Sequence, residues 1–227
     1  MAAKGTLISL LGDSITTYAG FNPPFYPVYY ERDVLPATGV LDVEDTWWAQ
    51  VLDALDAELL VNNSWSGSRV SGSGFPAGCS PERTHSLHRG ERVPDRIFIY
   101  MGFNDFGMGV TPRREDESDC FTFYGAYTSM LRQLREAYPQ AGIVCGTLMR
   151  SYRQGAEDAL FPERYSGGFA FEEYNDVIRA AAAAEGVRLA ELAPNGERYE
   201  TLDGAHPTLR GHRELAEGWL RALKRAD

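Results

Sequence analysis

The 227-residue chain is poor in several features, and each shortage excludes a class of protein. It has only three cysteines, Cys79, Cys120 and Cys145. Their number is odd, their spacings are long and no Cys-x-x-Cys occurs, so no disulfide framework is encoded. Free thiols in a reducing compartment are the simplest reading. No stretch approaches the 18 apolar residues of a transmembrane helix, and no membrane insertion is expected. Met1-Ala2-Ala3-Lys4 runs directly into the apolar Thr6–Leu11, without the longer apolar region and cleavage site of a signal peptide. The expectation is a cytoplasmic protein, in which the sequon Asn62-Asn63-Ser64 carries no glycosylation meaning. Positive charge is also short, with 22 Lys and Arg against 32 Asp and Glu and a net charge of −10. That balance disfavours nucleic acid and anionic membranes as partners. Twelve prolines and 23 glycines are too few for a fibrous or low-complexity chain. Gly-x-Gly-x-x-Gly, the Walker pattern and Gly-x-Ser-x-Gly are all missing. The Gly-rich stretch from Ser66 to Gly74 lacks the Lys-Ser/Thr ending of a phosphate loop. No cofactor is expected.

What is present alternates. Apolar runs at Thr6–Leu11, Leu59–Asn62, Arg96–Met101, Gly142–Leu148 and, more weakly, Val187–Glu191 have the length and composition of buried strands. Helical spacing lies between them. Thr46 can cap a helix presenting Trp48, Val51, Leu52 and Leu55. Phe123–Ala137, Phe171–Glu185 (followed by Gly186) and Leu209–Leu223 show the same period. A βα order repeated five times predicts an α/β protein with an open, doubly wound parallel sheet. No linker or internal repeat divides the chain, so residues 1–227 are read as one domain. The connections leaving the strands are long and those entering them short. In open α/β sheets the ligand crevice lies at the carboxyl ends of the strands, where these long loops gather.

The candidate chemistry sits after those strands. Gly12-Asp13-Ser14 ends the first, placing a serine at the sheet edge where it can open a helical turn. Asn63-Ser64-Trp65-Ser66-Gly67-Ser68 follows the second, and a glycine there lets backbone approach a ligand and offer its N–H. Gly102-Phe103-Asn104-Asp105 follows the third, with an amide able to donate. Asp203-Gly204-Ala205-His206-Pro207 follows the fifth. A carboxylate three residues before an imidazole can bind its Nδ1–H and leave Nε2 free as a base. Pro207 is expected in the first turn of the last helix. Of the four histidines, His85, His88, His206 and His212, only His206 has such a partner. Each element alone also reads as an ordinary polar turn, but all of them share one sheet edge. The N–H of Ser14, the N–H of Gly67 and the amide of Asn104 then converge as oxyanion donors.

Together Gly12-Asp13-Ser14, Gly67, Gly102-x-Asn104-Asp105 and Asp203-x-x-His206-Pro207 resemble the four blocks of the SGNH (GDSL-type) hydrolases, esterases and lipases, in order and spacing. Ile15 stands where the family's nickname has Leu. The resemblance implies a three-layer α/β/α, flavodoxin-like fold on a five-stranded parallel sheet, and ester hydrolysis without metal or cofactor. It makes Ser14 the nucleophile, His206 the base, Asp203 its partner, and Gly67 and Asn104 oxyanion donors beside Ser14.

Substrate is harder to read. Eight of the 27 aromatic residues crowd into residues 18–48: Tyr18, Phe21, Phe25, Tyr26, Tyr29, Tyr30, Trp47 and Trp48. Most of them are expected to pack the loop onto the body. Tyr18, Phe21, Trp65, Arg69, Phe103 and Tyr152 are the candidates for contact with substrate, and aromatic walls with Arg69 and Arg150 fit a hydroxylated molecule. The expected partner is a small ester, of short-chain acyl type, such as an O-acetylated carbohydrate. The rival is a lysophospholipase- or thioesterase-like acyl hydrolase with a long aliphatic groove. A non-catalytic carbohydrate-binding protein on the same fold is the alternative of a different class. His85-Ser86-Leu87-His88 with Cys79 upstream has metal-like spacing, but an irregular loop is the simpler reading. The mixed charge run Arg113-Arg114-Glu115-Asp116-Glu117 reads as a solvated loop.

Overall fold

The computed structural model describes residues 5–113, 119–165 and 168–225. In chain order the strands are β1 (Thr6–Gly12), β2 (Ala57–Ser64), β3 (Arg96–Tyr100), β4 (Gly142–Gly146), β5 (Arg150–Arg153), β6 (Arg188–Ala190) and β7 (Arg198–Thr201). The helices are α1 (Leu35–Thr38), α2 (Trp47–Ala54), α3 (Pro81–Thr84), α4 (Phe103–Gly107), α5 (Phe123–Ala137), α6 (Phe171–Glu185) and α7 (Leu209–Lys224). Five strands form a parallel sheet in the order β2-β1-β3-β4-β6. This is the doubly wound, flavodoxin-like order. The five apolar runs of the sequence are these five strands.

The sheet is covered on both sides, which is why its central strands β1, β3 and β4 carry continuous apolar runs. On one face α2 and α7 pack together. Trp47 and Trp219 stack there at 5.2 Å, and Trp219 stacks in turn on Phe98 of β3 at 5.3 Å. On the other face α5 and α6 pack together, burying Met130, Leu131, Leu134, Val177, Ile178 and Ala181. Each large apolar side chain withdrawn from water in this way contributes about 1.5–3 kcal/mol. The result is a three-layer α/β/α structure.

Local signals set the helix ends. Thr46 caps α2 as its position predicts, its Oγ1 accepting the Ala49 N–H. Gly186 closes α6 in the left-handed conformation. The last helix differs by one step. Pro207 lies outside it, and Thr208 is the cap, accepting the Gly211 N–H. Thr208 supplies a side-chain acceptor to an orphan N–H, which Pro207 cannot.

The long loops are not bare. Those after the fourth and fifth apolar strands contribute β5 and β7, which pair with each other as a separate two-stranded parallel sheet. The pair Thr201–Pro207 bridges back across the turn that follows β7. That turn carries Asp203 and His206.

Candidate active site

Ser14 begins a 3₁₀ turn, Ser14–Thr16, immediately after β1. The strand must end in glycine. A Cβ on Gly12 would lie 2.7 Å from Ser64 Oγ and from the Thr16 side chain. Asp13 caps the turn through Ile15 N–H (3.0 Å), and Thr17 Oγ1 donates to Ser14 O (2.8 Å). Asn62 of β2 donates to Thr16 O (2.8 Å) and accepts from Ser64 Oγ (2.6 Å). Beneath lies Arg83, fully buried. It donates to Gly12 O (2.9 Å), Asn63 O (2.8 Å), Asn63 Oδ1 (2.6 Å) and Pro76 O (2.7 Å). One guanidinium thus joins the ends of β1 and β2 to the following loop. Burial lowers Arg83 to about 10, which leaves it charged at neutral pH. Burial also raises the Asp13 carboxyl to about 7, against the pull of Ile15 N–H and His206.

The turn after β7 reaches Ser14 from 192 residues away. His206 Nε2 lies 2.9 Å from Ser14 Oγ, and His206 Nδ1 lies 2.7 Å from Asp203 Oδ2. Asp203 Oδ1 accepts the N–H of Ala205 (3.0 Å) and of His206 (2.9 Å). Burial pushes the Asp203 carboxyl up, but the hydrogen bonds from His206 and Ala205 outweigh it and hold the group well below the usual carboxylate range. An aromatic ring covers this pair. Tyr29 stacks on His206 with centroids 3.5 Å apart and planes within 6°. His212 is differently placed. It is buried in α7, its Nδ1 accepts the Trp47 N–H (3.1 Å), and burial lowers it to about 3, so it stays neutral.

The other two expected donors are brought together beside this turn. Trp65 N–H donates to Gly12 O (3.2 Å), which sets the loop after β2 against the end of β1. Gly67 is exposed, with φ at +80°, a conformation that only glycine adopts without strain. Asn104 lies in α4, and its Nδ2 donates to Ser68 O (2.9 Å), linking it to the turn that holds Gly67. An amide carries two N–H bonds, and this contact uses one. Asp105 fastens the same loop from below, accepting Val70 N–H (2.8 Å) and Ser71 N–H (3.0 Å). Burial raises Asp105 to about 6 despite these bonds.

The expected substrate contacts divide. Tyr18 and Phe103 are buried in the apolar core, whereas Tyr152, also buried, lines a cavity of about 260 Å³ beside Gly204. Tyr18 donates its hydroxyl to Leu41 O. Phe103 packs edge-on against Phe106, Phe161 and Phe171. Tyr152 bonds Glu214 beneath the guanidiniums of Arg198 and Arg210. Phe21 is exposed, and Trp65 and Arg69 are half-buried. Trp65 meets Tyr26 and Phe75 edge-on, each at 4.7 Å. Beside them opens a cavity of about 450 Å³ that starts at Gly67 and is lined by Arg69, Ser71, Ser73, Phe75, Met108 and Phe121. A larger hollow of about 570 Å³ adjoins Gly142 and Val187, where β4 and β6 begin. It is at the wrong edge of the sheet for this chemistry. His88 lies near the Tyr138 hydroxyl, and among the described residues no cluster of His, Cys, Asp or Glu is arranged to hold a metal ion. Of the run Arg113–Glu117, residues 114–117 lie outside the described residues.

Sequence reasoning missed Arg83 and the stacking of Tyr29, and it quoted Asp105 beside Asn104 without assigning it a role. Arg83 had none, since an isolated arginine reads as surface.

Comparison with known proteins follows the same lines. No functionally curated protein matches the chain by sequence. Among solved structures, it is similar to a putative GDSL-like lipase from Bacteroides ovatus, with 24% identity, 99% of this chain and 100% of that chain covered, and a TM-score of 0.73. A putative GDSL-like lipase from Bacteroides uniformis shares 22% identity over 97% of this chain and 96% of that chain, with a TM-score of 0.70. A carbohydrate acetylesterase family member from Sinorhizobium meliloti shares 17% identity over 97% and 98%, with a TM-score of 0.60. At these identities the likeness shows the fold. The sequence itself matches the profile of the GDSL-like Lipase/Acylhydrolase family over residues 6–151, well over half of the chain. The chain therefore belongs to that family, and it is an ester hydrolase.

Proposed function

We propose that Ser14, His206 and Asp203 form a catalytic triad that hydrolyses short-chain acyl esters, with an O-acetylated carbohydrate as the substrate class. The observation that carries this reading is the hydrogen-bond chain Ser14 Oγ to His206 Nε2 (2.9 Å) and His206 Nδ1 to Asp203 Oδ2 (2.7 Å). Asp203 fixes the tautomer in which Nδ1 carries the proton and Nε2 holds a lone pair. As Ser14 Oγ attacks the ester carbonyl, Nε2 takes its proton. The Ser14 N–H, the Gly67 N–H and Asn104 Nδ2 receive the developing oxyanion. The tetrahedral intermediate collapses as the imidazolium gives that proton to the departing alkoxide, leaving an acyl-serine and a free alcohol. Water, deprotonated by the same Nε2, attacks the acyl-serine. The acid leaves and the proton returns to Ser14.

The cavity beside Gly67 supports the substrate class. Arg69, Ser71 and Ser73 supply polar groups for hydroxyls, and Phe75 and Phe121 supply ring faces against which a sugar ring packs. A fold shared with a carbohydrate acetylesterase family member is consistent with this. Among the described residues no helix is long and apolar enough to cross a membrane. The free thiols Cys79, Cys120 and Cys145 support a cytoplasmic placement. The chain is read as one domain, because strands from residue 6 to residue 190 share one sheet.

The test is an acyl-length series of nitrophenyl esters and a panel of acetylated sugars, with wild type beside Ser14→Ala. Wild type should prefer acetyl and release acetate from the sugars, and Ser14→Ala should lose activity by at least 10³-fold, the order seen when a triad member is removed. Retained activity in Ser14→Ala sinks the triad. Activity that climbs steeply with acyl length favours the lysophospholipase or thioesterase reading.

A further inference from the structure

The stacking of Tyr29 on His206 belongs to a larger arrangement. The two ring centroids are 3.5 Å apart and the ring planes are nearly parallel. The Tyr29 hydroxyl donates to Asp203 Oδ2 at 3.5 Å, so the phenol lies lengthwise over both His206 and Asp203. Its backbone is held at the nucleophile's end. Tyr29 N–H donates to Thr17 Oγ1 (2.9 Å), and that hydroxyl donates to Ser14 O (2.8 Å). The next residue is held at the base's end. Tyr30 is fully buried, donates its hydroxyl to Pro207 O (2.7 Å) and leans on the His212 ring at 4.8 Å. Tyr29-Tyr30 therefore ties the turn bearing Ser14 to the turn bearing His206.

We propose that Tyr29 is a positioning residue: its ring locks the His206 imidazole in plane and shields the His206–Asp203 hydrogen bond from water. This rests on the triad reading above. Two physical reasons lead here. First, the Asp203 side chain is 45% exposed, whereas the partner carboxylate of such a triad is ordinarily buried. Water competes for an exposed acceptor and loosens the bond that orients the imidazole. With Tyr29 in place Asp203 keeps that exposure, and Tyr29 covers one face of the pair through its ring on the imidazole and its hydroxyl on Oδ2. Second, rotation of the imidazole about its Cβ–Cγ bond must lift one ring edge out of plane, and Tyr29 occupies that space. Nε2 is thereby kept on Ser14 Oγ. When His206 takes up the proton, the π-face of Tyr29 meets a cation, which is favourable.

The polar and charged groups facing His206 are Asp203 at Nδ1, Ser14 at Nε2, and the buried Asp13 carboxyl nearby. Tyr29 is not itself a base. Burial first, and the Asp203 charge second, raise its hydroxyl to about 12, so it stays protonated.

The experiment measures kcat and KM on nitrophenyl acetate for wild type, Tyr29→Phe, Tyr29→Leu and Ser14→Ala, with urea unfolding to verify that each is folded. Tyr29→Leu keeps apolar bulk but loses the flat face. Its kcat should fall about tenfold, or about 1.4 kcal/mol at 1.36 kcal/mol per decade, with KM within about twofold of wild type. Tyr29→Phe should retain at least about a third of the wild-type kcat, because the ring face remains. Tyr29→Met repeats the comparison if the leucine variant is unstable. A Tyr29→Leu kcat within about twofold of wild type overturns the proposal. So does a raised KM at unchanged kcat, which makes Tyr29 a substrate wall, and so does equal damage from Phe and Leu, which moves the effect to the hydroxyl. Full activity in Ser14→Ala is a separate failure, that of the triad.

Discussion

Replacing Asp203 by Asn tests the proposed triad through the orientation of His206, and the hydrogen bonds around Asp203 say which way the amide must turn. Asp203 uses its two oxygens differently. Oδ1 accepts two backbone N–H groups, from Ala205 at 3.0 Å and His206 at 2.9 Å, while Oδ2 faces His206 Nδ1 at 2.7 Å. An Asn side chain has one oxygen and one NH₂. With its oxygen in the Oδ1 position it keeps both backbone bonds and presents NH₂ to Nδ1. Turned the other way it loses both, and its own N–H bonds oppose two backbone donors. At about 1 kcal/mol per hydrogen bond the first orientation is favoured by about 2 kcal/mol or more, roughly 30-fold. An NH₂ facing Nδ1 requires a lone pair there, so the proton moves to Nε2, where it points at Ser14 Oγ. The base then has nothing with which to accept the serine proton. The expected loss in kcat is about 10³–10⁴-fold, the order found for this change in a triad. Steady-state hydrolysis of nitrophenyl acetate reads it, with Asp203→Ala as the comparison. The alanine variant leaves Nδ1–H to water at a half-exposed position and should be no less active than the asparagine variant. An asparagine variant that keeps more than about a tenth of wild-type kcat refutes the tautomer argument. An alanine variant that is clearly worse refutes it too.

Three other outcomes are expected. Arg83→Met removes three hydrogen bonds to buried acceptors at the ends of β1 and β2 and a fourth to Pro76 O in the following loop, and should cost about 3–5 kcal/mol in urea unfolding. A loss below about 1 kcal/mol would mean that the loops do not depend on it. Asp13 and Asp105, raised to about 7 and about 6 by burial, hold protons in the folded state that the unfolded chain releases near pH ~4. Their contribution to stability is therefore full below about pH 4 and lost as pH rises through about 6–7. Asp13→Asn, which can still cap Ile15, should gain stability relative to wild type between pH 5 and pH 8, and a pH-independent difference would contradict the assignment. Cys79 and Cys145 are buried, and desolvation raises both thiols to about 12. A thiol reagent should therefore label the native protein rapidly at Cys120 alone and all three cysteines after denaturation, and fast labelling of more than one refutes that burial.

The parts of the fold visible in the sequence were those whose local composition and tertiary environment agree. The sheet strands carry apolar runs, longest in the central β1, β3 and β4, because both faces of the sheet are covered, and helices α5, α6 and α7 carry one apolar face each. β5 and β7 were not visible. Arg150-Ser151-Tyr152-Arg153 and Arg198-Tyr199-Glu200-Thr201 are polar segments whose strand form comes from pairing with each other, a contact across 45 or more residues that leaves no local pattern. The same limit applied to aromatic residues. Tyr18 and Phe103 looked like substrate contacts because they follow the expected nucleophile and flank the expected oxyanion donor, yet a ring beside a site is as readily core as wall, and here both lie in the apolar core.

By itself the sequence determined the sheet, the edge on which chemistry gathers and the residue types that stand there. Strand length, period-3.6 helices and loop asymmetry are local properties, and the order Ser14, Gly67, Asn104, Asp203, His206 follows the strands. Only the tertiary structure decided that His206 meets Ser14 at 2.9 Å, that Arg83 lies beneath both loops and that Tyr29 lies on the imidazole. Those contacts join residues between 20 and 192 positions apart. They are set by the packing of whole elements, to within a few tenths of an ångström, and no short stretch of chain encodes a distance of that kind.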